Sequence, residues 1–147
     1  MDTRHSDLVL LVVDDEASIR QVLEEFLELE LGARVLLAED GRRALEIVDA
    51  EVPALILTDV RMPLVDGVDL IRELRAKLAT RQVPIVVVAA TGARRDEALA
   101  AGGDDYLDKP FDLDSLAAMV RRHLDRRDSR GLTGAEPGER GIPPAAR

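Results

Sequence analysis

Leu55-Ile56-Leu57-Thr58-Asp59, running into the turn-prone Arg61-Met62-Pro63-Leu64-Val65-Asp66-Gly67, is the stretch that decides the fold. A short apolar run that stops at a carboxylate and enters a Pro/Gly-marked turn reads as a buried strand feeding a loop. The pattern also stands upstream, where Leu8 to Val13 stops at Asp14, Asp15 and Glu16. It returns downstream in Tyr106-Leu107-Asp108-Lys109-Pro110-Phe111, closing there on a lysine. Between these runs the period becomes helical. Ile19, Val22, Leu23, Phe26 and Leu27 form one stripe, and Val68, Leu70, Ile71, Leu74 and Leu78 another.

This alternation predicts βα units and a parallel sheet, an α/β fold. The expected strands are residues 8–13, 34–38, 54–58, 85–90 and about 105–107. Expected helices follow them: one closed by Gly32, one at about 42–49, one from near Asp66, a short one at about 94–101, and one from Asp112 or Asp114. The fourth strand has no polar side chain, so it should be covered on both faces. Parallel strands place their carboxyl ends on one edge, where open α/β sheets bind ligands.

The 147 residues suit one domain. Residues 8–127 carry the pattern, with a short extension at 1–7. Residues 128–147 hold Gly131, Gly134, Gly138, Gly141, Pro137, Pro143 and Pro144 and little apolar content, and are expected to form a disordered tail. No second, effector-like domain is evident, so a stand-alone domain is expected. Absence of cysteine excludes disulfides, zinc–thiolate sites and thiol catalysis. Two histidines, His5 and His123, are too few and too far apart for a metal or triad site. A net charge of −9 argues against nucleic acid as a partner. No apolar run approaches a membrane span, and the polar N-terminus does not resemble an export signal. A cytoplasmic setting without membrane contact is expected.

A single strand-end aspartate is commonly just a helix cap. Three carboxylates and a lysine at the ends of neighbouring strands are harder to explain so, because clustered anions in a cleft repel. A hard divalent cation with oxygen ligands offsets that repulsion, and magnesium suits, needing only one or two protein carboxylates beside water and phosphate oxygens. Lys109 adds a point charge for a phosphoryl oxygen, and Pro110 after it suits a cis peptide bond. Together they fit phosphoryl transfer with an aspartate as covalent nucleophile.

Val12-Val13-Asp14-Asp15-Glu16, Thr58-Asp59-Val60-Arg61-Met62-Pro63, Asp66-Gly67 and Gly102 through Phe111, in this order, resemble a response-regulator receiver domain of two-component signalling. The resemblance implies a flavodoxin-like, doubly wound five-stranded sheet in the order 2-1-3-4-5 with five helices. It implies that Asp59 takes a phosphoryl group from a sensor histidine kinase or histidine phosphotransfer protein. Asp15 and Asp59 would ligate magnesium (or manganese), Asp14 acting mainly through water and Arg61 through its backbone carbonyl. Lys109 would contact the phosphoryl group, and Tyr106 would be the aromatic switch. Such a domain is a phosphoacceptor that catalyses its own phosphorylation and slow dephosphorylation, not an enzyme acting on a separate substrate.

One element departs from the family pattern. The strand-four position that usually carries threonine or serine is Ala89, and the first hydroxyl beyond it is Thr91. Either Thr91 is drawn inward or the switch lacks its hydroxyl. The second is favoured, because the first needs a register change in a buried strand. The expected output runs through helix four, strand five and helix five to an unknown protein partner, or the domain serves as a phosphoryl relay or sink, as monomer or weak dimer. The alternative is an adaptor recognised regardless of phosphorylation.

Overall fold

A computed structural model describes residues 7–62, 64–90 and 94–133, with side chains described through residue 126. Strands and helices alternate strictly: β1 (Val9–Val13), α1 (Ala17–Leu31), β2 (Arg34–Ala38), α2 (Gly41–Ala50), β3 (Leu55–Thr58), α3 (Gly67–Ala76), β4 (Ile85–Ala90), α4 (Arg95–Ala101), β5 (Asp105–Lys109) and α5 (Leu113–Thr133). The strands form one sheet, all parallel, in the order β2-β1-β3-β4-β5. Fold class and strand order are those the resemblance implied.

Strand alternation splits the core in two. Leu11, Val13, Ile56, Ile85, Val87 and Ala89 face one side, against Ala44 and Val48 of α2, Leu70, Ile71 and Leu74 of α3, and Ala98 of α4. Leu10, Val12, Leu55, Leu57, Val86 and Val88 face the other, against Leu23 and Leu27 of α1 and Leu116, Val120 and Leu124 of α5. Each fully buried aliphatic side chain contributes about 1.5–3 kcal/mol, which is why β1, β3 and β4 read as nearly unbroken apolar runs.

The helix ends follow from local chemistry. Asp40, Asp66 and Asp112 accept from the amides of Arg43, Asp69 and Ser115, satisfying first-turn N–H groups of α2, α3 and α5. Gly32 closes α1 in the left-handed conformation (φ 64°), donating to the Glu28 carbonyl. Arg75 of α3 is a rivet: its guanidinium donates to the carbonyls of Gly102, Thr80, Arg81 and Val83 and to the Asp104 carboxylate. It thereby ties α3 to the chain entering β4 and to the C-terminal end of α4.

Several expectations are corrected. Val22 is half exposed, because it lies about 100° around α1 from Leu23 and misses the stripe centred on Leu23 and Leu27. Leu78 is not on the α3 stripe and is exposed. The helix ends at Ala76, where the Thr80 hydroxyl takes the Leu74 carbonyl at 2.6 Å and the chain turns away. β5 runs on to Lys109 rather than stopping near 107, because Ala89 and Ala90 continue pairing with Asp108 and Lys109. α5 continues past residue 127 to Thr133. His5 and residues 134–147 lie outside the described residues.

Candidate functional site

β1, β3 and β5 end together at one edge of the sheet and deliver Asp14 and Asp15, Asp59, and Lys109. Asp14 follows β1 and is almost wholly buried, its amide donating to the Ala38 carbonyl at 3.1 Å. Asp59 follows β3 and is also buried, its amide donating to Val13 at 3.0 Å. Asp15 is exposed at the mouth. One carboxylate oxygen of each aspartate lies within 4.8 Å of those of the other two.

Lys109 bridges the two buried carboxylates, with Nζ 2.9 Å from Asp14 Oδ2 and 2.8 Å from Asp59 Oδ2. Glu16 stands further off, at 3.9 Å. The peptide bond from Lys109 to Pro110 is cis, as its sequence position suggested. Asp59 Oδ1 accepts from the amides of Val60 at 2.6 Å and Arg61 at 3.3 Å, which fixes the carboxylate plane. Asp14 Oδ1 accepts from the Glu16 amide at 2.9 Å.

Burial pushes the Asp14 carboxyl above its ordinary value, against the pull of the Glu16 amide and Lys109. Burial also works against the Lys109 charge, yet its bonds to Asp59 and Asp14 outweigh this and hold the ammonium above the usual lysine range. One cation thus sits among three acids, two of them buried. The donors are all oxygens and the local charge is negative, so the group fits a hard divalent cation.

Gly67 has a specific reason to be glycine. A Cβ there would stand 2.1 Å from the Asp59 carbonyl oxygen, and the Gly67 amide donates to Val60 at 2.7 Å. The start of α3 is therefore pressed against the backbone that carries Asp59.

Ala89 and Tyr106 lie together on the α3/α4 side of the sheet, both buried. β4 stays in register to Ala90, so the expected methyl occupies the strand-four position. The Tyr106 hydroxyl donates to the Ala90 carbonyl at 2.8 Å, and the Arg95 guanidinium lies 5.3 Å from the ring centroid. Thr91 lies outside the described residues.

Sequence reading missed several partners. Arg20 on α1 donates to the Asp14 carbonyl at 2.8 Å. Arg94 reaches Asp66 at 2.9 Å and Glu97 at 2.8 Å. His123 on α5 is buried and donates to Asp105 Oδ2 at 3.0 Å, beside Arg122. Only Arg94 and Arg95 gave a signal: two cations at a helix start oppose its dipole and need partners elsewhere.

The sequence matches the response regulator receiver domain family over residues 10–121. The transcriptional regulatory protein CpxR of Klebsiella pneumoniae is 41% identical over 119 residues, 80% of this chain and 49% of that protein. Response regulator Rre1 of Synechocystis is 36% identical over 129 residues, 86% of this chain and 56% of that protein. The chain thus spans about half the length of the curated relatives it matches. Among solved structures, the receiver domain of the sensor histidine kinase PA1611 from Pseudomonas aeruginosa, described with magnesium coordinated in the active site cleft, has a TM-score of 0.75 and 35% identity over 80% of this chain and 98% of that one. The chemotaxis response regulator CheY4 of Vibrio cholerae has a TM-score of 0.74 and 30% identity, covering 79% of this chain and 98% of that one. With its five-stranded sheet and strand-end carboxylates in place, this chain belongs to the response regulator receiver domain family.

Proposed function

We propose that the domain accepts a phosphoryl group on Asp59 from the phosphohistidine of a sensor histidine kinase or histidine phosphotransfer protein. The observation that carries this is Lys109 Nζ held between Asp14 and Asp59 at 2.9 and 2.8 Å in an otherwise acidic pocket. A carboxylate oxygen of Asp59 attacks phosphorus. The bond from phosphorus to the donor imidazole breaks, its electron pair returns to the ring nitrogen, and that nitrogen takes a proton. The Val60 and Arg61 amides on Oδ1 hold the nucleophile in one orientation, which removes part of the entropic cost of the encounter. Lys109 then turns from Asp59 to a phosphoryl oxygen.

Asp14, Asp15, Asp59 and the Arg61 carbonyl are the groups that would hold magnesium or manganese. Bound there, the ion supplies positive charge against the carboxylates and the phosphoryl oxygens. The domain contributes the groups for its own phosphorylation and for slow hydrolysis, and has no separate substrate to turn over.

In relatives named transcriptional regulators the matched stretch is about half of the protein, so a stand-alone arrangement is not part of the proposal. A net charge of −9 argues against DNA binding by this domain itself, and its output passes to protein through the face of α4, β5 and α5 or by relay. Among the described residues no helix is long and apolar enough to cross a membrane. The reading keeps the cytoplasmic setting expected from the polar N-terminus and the short apolar runs of the sequence. Ala89 favours one second reading, an adaptor recognised regardless of phosphorylation.

The test is acetyl phosphate or phosphoramidate with and without magnesium, read by intact mass on the wild type and Asp59→Asn. A magnesium-dependent gain of one phosphoryl group, absent in the variant, is expected. No gain from either donor would leave the adaptor reading standing.

A further inference from the structure

α3 and α4 are cross-linked at both ends. At the far end, Arg75 Nε donates to the carbonyl of Gly102, the residue that closes α4, at 3.0 Å, and its side chain packs against that glycine. The four further hydrogen bonds of Arg75 make this end firm. At the site end, among the described residues, the link is one arginine. Arg94 joins Asp66, the cap of α3, to Glu97 in the first turn of α4.

Three features mark Arg94 as more than a surface ion pair. Its backbone is left-handed (φ 48°), a conformation that a residue with a Cβ adopts only when its surroundings impose it. Its charge opposes the α4 dipole, so its contacts rather than the helix hold it there. Its partner Asp66 adjoins Gly67, which is pressed against the Asp59 carbonyl. Burial disfavours the Asp66 charge, but the Asp69 amide and Arg94 outweigh it and keep the carboxyl below its ordinary value, so the pair stands at neutral pH. α4 has seven residues, too short to hold its place unaided.

We propose that the Asp66–Arg94 link, and not a hydroxyl at position 89, couples Asp59 to α4. A phosphoryl group on Asp59 displaces the Gly67 end of α3, which is pressed against the Asp59 backbone, and so draws Asp66 off the Arg94 guanidinium. The start of α4 is released and pivots about the Arg75–Gly102 end, carrying Arg95 away from the Tyr106 ring. The route runs from Asp59 through Gly67 and Asp66 to Arg94 and bypasses Ala89. It rests on Asp59 being the acceptor.

The test compares backbone amide spectra of the wild type, Arg94→Gln, Arg94→Lys and Asp66→Asn, each with magnesium before and after acetyl phosphate, with uptake read by mass. Asparagine still caps a helix, so Asp66→Asn removes the ion pair and spares α3. In the wild type, uptake should shift residues 95–98 more than those around Gly102. Arg94→Gln and Asp66→Asn should take up the group normally. Their α4 signals should already lie toward the phosphorylated wild-type positions and move little further, and the double variant should add nothing. Arg94→Lys should restore part of the response. Normal uptake with α4 shifts in both single variants equal to those of the wild type would overturn the link alone. No uptake by the wild type would overturn the acceptor reading and the link with it.

Discussion

Replacing Lys109 by methionine keeps the aliphatic stem and removes the cation that bridges Asp14 and Asp59. The two carboxylates, both buried, then face each other with oxygens within 4.8 Å. At an effective dielectric of about 20, two unit charges at that distance repel by roughly 3.5 kcal/mol. Protonation of Asp14 caps the cost. From an ordinary value of 3.8, with each pH unit equivalent to about 1.4 kcal/mol, the cap is about 4 kcal/mol at pH 7 and under about 2 kcal/mol at pH 5. Burial already raises the Asp14 carboxyl, which lowers the cap further. Equilibrium urea unfolding without metal should therefore show Lys109→Met destabilised by about 3 kcal/mol at pH 7 and by less than half of that at pH 5. Magnesium should recover most of the loss, and should stabilise the variant more than the wild type because it no longer meets the ammonium. Equal stability of the two proteins at pH 7, with the same response to magnesium, would refute the charge accounting.

Gly67→Ala should destabilise the domain by about 2 kcal/mol or more, because its methyl would drive into the Asp59 carbonyl; an unchanged melting temperature would remove the close approach. Asp15→Asn, at an exposed position, should leave urea stability within about 0.5 kcal/mol while weakening magnesium binding roughly tenfold or more, about 1.4 kcal/mol; calorimetric titration decides, and unchanged affinity would strike Asp15 from the ligand set. Burial disfavours the Asp105 charge, but His123, the Tyr106 amide and Arg122 outweigh it and hold the carboxyl below its ordinary 3.8. The ionised form is thus preferred in the fold, so its stabilisation is present above about pH 4 and fades as the pH falls below 3.8. The melting-temperature gap between wild type and Asp105→Asn should close over that acid range; a gap that persisted would place the stabilisation elsewhere.

The fold was legible because β1, β3 and β4 are buried on both faces and the helices on one, so the apolar runs and stripes are direct traces of burial. Asp14, Asp59 and Lys109 were legible for the same reason: a charge at the end of an apolar run marks the sheet's binding edge. Val22 and Leu78 misled because a stripe drawn on an ideal helix ignores where the neighbouring surface ends and where a side chain such as Thr80 stops the helix. Arg20, Arg75 and His123 were illegible, and Arg94 signalled only that it needs a partner, not which one. A long cationic side chain chooses carbonyls and carboxylates that tertiary packing brings near, and Arg75 takes partners as distant in sequence as Asp104.

The measurement that bears most directly on the acceptor is chemical identification of the modified residue. Borohydride reduces an acyl phosphate to an alcohol, so peptide mapping after acetyl phosphate, magnesium and borohydride marks the acceptor as homoserine. The account predicts homoserine at position 59 alone, and none without magnesium. Homoserine at position 14, 15 or 66 with Asp59 intact, or at no position, would contradict it.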